Sequence, residues 1–132
     1  MEASRKVFIV DDDPDFADFV ADVADGAGFE VDVHRSAKEC LAALRGADPA
    51  VVVMDVVMPD MDGVELVQAI GKEKPTVPVI VMSGYDSNYL GLVKTLGQAS
   101  GVTIVATLMK PFTADEMEIA LDAALAGNTT AT

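Results

Sequence analysis

The sequence predicts an α/β fold, a doubly wound five-stranded parallel sheet with strand order 2-1-3-4-5. Three observations predict it. Five short apolar runs alternate with five stretches whose apolar residues recur at helical spacing, the pattern of βαβ units with right-handed crossovers. The run Val51, Val52, Val53 and Met54 is continuous and β-branched, as suits a strand buried on both faces. Carboxylates follow the first and third runs. In this strand order those two strands are neighbours at the switch point, where open sheets bind ligands.

Taken in order, Val7, Phe8, Ile9 and Val10 form the first run and lead into Asp11, Asp12 and Asp13. Asp13 before Pro14 reads as an N-cap with proline at the first helical position. Phe16, Phe19, Val20, Val23 and Ala27 mark the helix, and Gly26 and Gly28 end it. Residues 29–34 alternate apolar and polar, as a half-buried edge strand does. Ser36 to Glu39 is a capping box, followed by the face Ala37, Cys40, Leu41 and Leu44. After the third run, which ends at Asp55, Asp62 to Glu65 caps a helix with the face Leu66, Val67 and Ile70. Residues 72–78 read as a connection, and residues 79–82 as the fourth strand, ending at Ser83 and Gly84. Tyr89, Leu92, Val93 and Leu96 mark the fourth helix, closed by Gly97, Ser100 and Gly101. Residues 102–109 hold a fifth strand of less regular pattern, ahead of Lys110, Pro111 and Phe112. Thr113 to Glu116 is another capping box, and Met117, Ala120, Leu121, Ala124 and Leu125 line the last helix.

A length of 132 residues suits one domain with one core, spanning residues 1–127, with a polar tail at 128–132. The formal net charge of -13 argues against direct binding of nucleic acid or of an anionic membrane surface. No apolar run approaches the roughly 20 residues of a membrane helix. The N-terminus shows no cleavage-site pattern, and the single cysteine, Cys40, fits a reducing, cytoplasmic setting. Cys40 reads as a core residue, and His34 as exposed or structural.

The fold brings Asp11, Asp12 and Asp55 to one edge of the sheet. Three neighbouring carboxylates either take raised pKa values or bind a cation. Oxygen ligands without histidine or cysteine suit Mg²⁺. Ser83 adds a hydroxyl and Lys110 an ammonium. The set fits phosphoryl transfer, where the protein positions the group and neutralises its charge. Asp13, Asp60 and Asp62 read as turn and cap residues.

Across roughly residues 5–127 the chain resembles the receiver domain of two-component response regulators, a flavodoxin-like fold. The resemblance rests on the acidic pair Asp11 and Asp12, the stretch from Asp55 to Gly63, Ser83 with Gly84, and Lys110 with Pro111 and Phe112. It implies that Asp55 accepts a phosphoryl group from a histidine kinase or phosphotransfer protein. It implies that Asp12 ligates Mg²⁺ directly and Asp11 through water, with the Val57 carbonyl a further ligand. Ser83 would bind a phosphoryl oxygen. Lys110 would pair with Asp55 and then with the phosphoryl group, across a cis bond to Pro111. It implies a signalling module that catalyses only its own phosphorylation and dephosphorylation. A downstream effector, or a homodimer through the face from the fourth to the fifth helix, would receive the signal.

Three features set this sequence apart. Thr107 stands where many receivers carry an aromatic switch residue, three positions before the lysine. The segment from Ser83 to Lys110 is long, and its ending is similar to receivers attached to cyclic-di-GMP phosphodiesterase (EAL) domains. Val57 and Tyr85, each two residues beyond a site residue, would flank an attacking water and slow loss of the phosphoryl group. Two further readings stand beside this one. The Asp-x-Asp of residues 11–13 also suits a haloacid-dehalogenase-like phosphatase, and a constitutive interaction module would use the same fold without phosphorylation.

Overall fold

A computed structural model describes residues 5–84 and 86–129. The elements run β1 (Lys6–Val10), α1 (Pro14–Gly26), β2 (Glu30–His34), α2 (Ala37–Leu44), β3 (Val51–Asp55), α3 (Gly63–Glu73), β4 (Pro78–Ser83), α4 (Ser87–Ala99), β5 (Thr103–Met109) and α5 (Ala114–Thr129). The strands form one sheet in the order β2-β1-β3-β4-β5, all pairs parallel. That is the predicted topology.

The sheet is buried on both faces because successive side chains alternate sides. Phe8, Val10, Val52, Met54, Val79 and Val81 pack with residues of α2, α3 and α4. Val7, Ile9, Val51, Val53, Ile80 and Met82 pack with residues of α1 and α5. The helix starts follow from local chemistry. Asp13 accepts from the N–H groups of Asp15 and Phe16, Ser36 from Glu39, and Asp62 from Glu65. At α5 the capping box is reciprocal: Thr113 N–H donates to Glu116 Oε1 at 2.9 Å, and Glu116 N–H to Thr113 Oγ1 at 3.1 Å.

Some elements depart from the sequence expectation. Lys72 and Glu73 belong to α3 rather than to the connection. On α4 the buried residues are Leu90, Val93 and Gly97, while Leu92 and Leu96 are exposed. Gly97 therefore does not close the helix. It lets α4 approach the sheet, since a Cβ there would lie 2.6 Å from Ile104 Cδ1. The stop comes at Gly101, whose φ of +87° only glycine adopts readily. On β2, Val33 is exposed, so the expected alternation is weak. α5 continues to Thr129, and residues 130–132 of the expected tail lie outside the described residues.

β5 carries the one irregularity in the ladder. Val79 pairs with Ile104, but Ile80 pairs with Ala106, leaving Val105 as an extra residue. Ile104 consequently packs on the α2–α4 side and Ala106 on the α1–α5 side. This bulge explains why the fifth strand showed no clean period in the sequence.

Candidate functional site

Parallel strands end at the same edge, so the residues after β1, at the end of β3, at the end of β4 and after β5 converge. Asp11 follows β1 and is fully buried. Its N–H continues the ladder to the His34 carbonyl at 3.2 Å. Its Oδ1 accepts from Asp13 N–H at 3.0 Å and its Oδ2 from Lys110 Nζ at 2.7 Å. Asp55 closes β3 and is buried. Its Oδ1 accepts from Val57 N–H at 3.0 Å, and its Oδ2 from Lys110 Nζ at 3.1 Å. Asp12 is exposed. One oxygen from each of Asp11, Asp12 and Asp55 lies within 4.8 Å of the others.

Three carboxylates face one ammonium, so two negative charges stay uncompensated when all are ionised. Burial pushes the Asp55 carboxyl above its ordinary range, and Asp11 adds to this. The Val57 N–H and the Lys110 ammonium pull it back without cancelling the rise. At Lys110, burial alone would lower the pKa, but the Asp11 and Asp55 contacts outweigh it and the net direction is upward. The ammonium is a firmly charged group. An all-oxygen donor set carrying excess negative charge could hold a hard metal ion.

Ser83 is fully buried at the end of β4, and its carbonyl accepts from Lys110 N–H at 2.8 Å. Gly84 lies along the lysine stem, where a Cβ would meet Lys110 Cβ in ordinary contact at 3.5 Å. The Lys110-Pro111 bond is cis. Val57 is exposed at 44 % beside the site, whereas Tyr85 lies outside the described residues. Thr107 is exposed on β5 opposite Val81.

His34 is structural. Its ring lies 4.8 Å from that of Phe8, and its Nδ1 is 3.4 Å from Glu39 Oε1. Cys40 is buried in the core, and Asp13 and Asp62 are helix caps. Two residues do more than their sequence context suggested. Asp60 was expected to serve its own turn, but its carboxylate reaches α2, accepting from Ala37 N–H at 3.2 Å and Lys38 N–H at 3.1 Å. Phe16 looked like a core position of α1, yet Lys110 Nζ sits 4.3 Å from its ring centroid. Neither role leaves a local pattern, because each partner lies far away in the chain.

Among the described residues no helix is long and apolar enough to cross a membrane. The response regulator receiver domain model matches residues 7–122. The transcriptional regulatory protein FixJ of Bradyrhizobium diazoefficiens is 30% identical over 125 residues, covering 95% of this chain and 58% of FixJ. The C4-dicarboxylate transport transcriptional regulatory protein DctD of Rhizobium meliloti is 33% identical over 117 residues, covering 89% of this chain and 24% of DctD. The chain thus spans 58% of the first relative and about a quarter of the second. The chemotaxis response regulator CheY4 of Vibrio cholerae superposes with a TM-score of 0.79 at 28% identity, covering 93% of this chain and 100% of that one.

Proposed function

Because the chain belongs to the response regulator receiver domain family, the phosphorylation-activated module of two-component signalling, we propose that Asp55 is its phosphoryl acceptor. The observation that carries this is the placing of Asp55. It is buried at the end of β3, held at one oxygen by Val57 N–H and at the other by Lys110, within reach of Asp11 and Asp12.

The donor would be phosphohistidine on a histidine kinase or phosphotransfer protein, or a small acyl phosphate. An Asp55 carboxylate oxygen attacks phosphorus and an O–P bond forms. From phosphohistidine the P–N bond breaks and its electron pair stays on the imidazole; from an acyl phosphate the P–O bond breaks and its pair leaves on the carboxylate. Ionised Asp55 is the nucleophile, so the Lys110 and Val57 contacts that oppose its burial keep it competent. Lys110 then turns to the phosphoryl oxygens, joined by the Ser83 hydroxyl. Asp12, Asp11, Asp55 and the Val57 carbonyl are the candidate ligands of Mg²⁺. When bound, Mg²⁺ would neutralise charge on the transferring group. On this reading the chain performs chemistry only on itself, and the phosphatase alternative gives way to family membership. An effector or a second copy that reads the phosphorylated state completes the pathway, within a cytoplasmic system.

The test is incubation with radiolabelled acetyl phosphate and Mg²⁺. Native protein takes up label and Asp55→Ala does not. Label retained by Asp55→Ala, or none on the native chain, overturns the assignment.

A further inference from the structure

We propose that Phe16 is a positioning residue for Lys110, the face of its ring holding the ammonium in the site without neutralising it. The inference deepens the acceptor reading and rests on it.

Lys110 Nζ touches three groups: Asp11 Oδ2 at 2.7 Å, Asp55 Oδ2 at 3.1 Å and the Phe16 ring at 4.3 Å from its centroid. The first two are carboxylates that any bound cation or incoming phosphoryl group would engage. A lysine held only by them would lose its hold when they were claimed. The ring is the contact that neither event claims. An aromatic face attracts a cation through its quadrupole yet carries no net charge. The ammonium therefore keeps its full charge for a phosphoryl oxygen, which a third carboxylate would have cancelled.

The ring is itself fixed. Phe16 meets Phe112 at 5.1 Å and 82°, and Phe19 at 5.7 Å and 65°. Phe19 and Phe112 stand 6.0 Å apart and complete the cluster. Phe112 lies two residues beyond Lys110 in the same turn. The lysine's tip and the backbone that carries it are thus both tied to the first turns of α1. Phe16 is only half buried, so filling the core does not by itself explain a ring there.

The experiment combines two readouts on the full chain. The first is the NMR shift of the Lys110 ε protons, which a ring face at this distance moves upfield. The shift should be present in native protein, lost in Phe16→Leu and retained in Phe16→Tyr. The second is the rate of Asp55 phosphorylation by acetyl phosphate in a series with mono-, di- and trifluorinated phenylalanine at position 16. These keep the ring's shape while draining its face of negative charge. The rate should fall stepwise, by roughly fivefold across the series, with Phe16→Tyr close to native. An unchanged Lys110 shift in Phe16→Leu, or a flat rate across the fluorinated series, overturns the inference. If native protein takes up no label, the acceptor reading fails instead. The shift then decides alone: upfield and ring-dependent, it upholds the positioning; otherwise it refutes it.

Discussion

Lys110 lies closer to Asp11, at 2.7 Å, than to the proposed acceptor Asp55, at 3.1 Å. The ammonium therefore occupies oxygens that a metal ion would need, and the two cations compete. Unit charges about 4 Å apart interact by roughly 4 kcal/mol near a protein surface, part of which solvent screens. Lys110→Met should raise Mg²⁺ affinity about tenfold while slowing phosphorylation by more than that. The chain has no tryptophan, so calorimetric titration is the measurement. Weaker Mg²⁺ binding in Lys110→Met would contradict the competition.

Val57 is largely exposed at the rim and two residues past Asp55. An apolar side chain there neither orients nor activates water. Val57→Asn should shorten the lifetime of phospho-Asp55 several-fold, read from the decay of label in Mg²⁺. The paired change at Tyr85 to a polar residue should shorten it further. Unaltered decay in both would rule out this account of slow hydrolysis.

Glycines at two positions make opposite predictions. A Cβ at Gly63 would stand 2.7 Å from both the Cβ and the carbonyl oxygen of Val56. Backbone would have to shift one residue from Asp55, so Gly63→Ala should cost roughly 1–3 kcal/mol and slow phosphorylation. A Cβ at Gly91, on exposed α4, meets nothing within 4 Å. Gly91→Ala should stabilise by about 1 kcal/mol. Urea denaturation of both separates the effects.

Asp60 ties the loop after β3 to the first turn of α2 by two hydrogen bonds. Asp60→Ala strands two N–H groups that Ser36 does not reach, since Ser36 serves Glu39. The cost should be about 1 kcal/mol. Faster amide exchange confined to Ala37 and Lys38 would be its local signature.

Burial, with a smaller contribution from Glu39, raises the Cys40 thiol from 9.0 to about 12. Native Cys40 should resist thiol reagents at pH 8 and react only as fast as the chain unfolds. The raised value also sets a pH dependence. Between pH 9 and 12 the unfolded thiol ionises and the folded one does not, so unfolding releases a proton and stability falls as pH rises. The slope is at most about 1.4 kcal/mol per pH unit. Cys40→Ala should lack this part of the decline; equal slopes would refute it.

The sheet order was legible because each strand is a separate run and four of the five helix starts carry a cap readable in the sequence: Asp13, Ser36, Asp62 and Thr113; the fifth, Asp86 at α4, was not read. The four groups of the candidate site were legible because topology alone brings strand ends together. Contacts whose partners are distant in the chain were not. Nothing local tells that Asp60 reaches α2, that Phe16 faces Lys110, or that Leu90 rather than Leu92 is the buried residue on α4. Gly97 misled for the same reason, because its meaning lies in the nearness of Ile104.

The extra residue at Val105 gives β5 slack. Val105 takes no rung of its own, so Ala106 follows Ile104 in the ladder as a direct neighbour would, on the opposite side of the sheet. Removing Val105 would leave Ile104 opposite Val79 and Ala106 opposite Ile80, a regular ladder that still delivers Lys110 to the same edge of the sheet. The strand can therefore lose one residue at this point and keep both its pairing and the placement of its lysine, a tolerance that a ladder without an extra residue lacks.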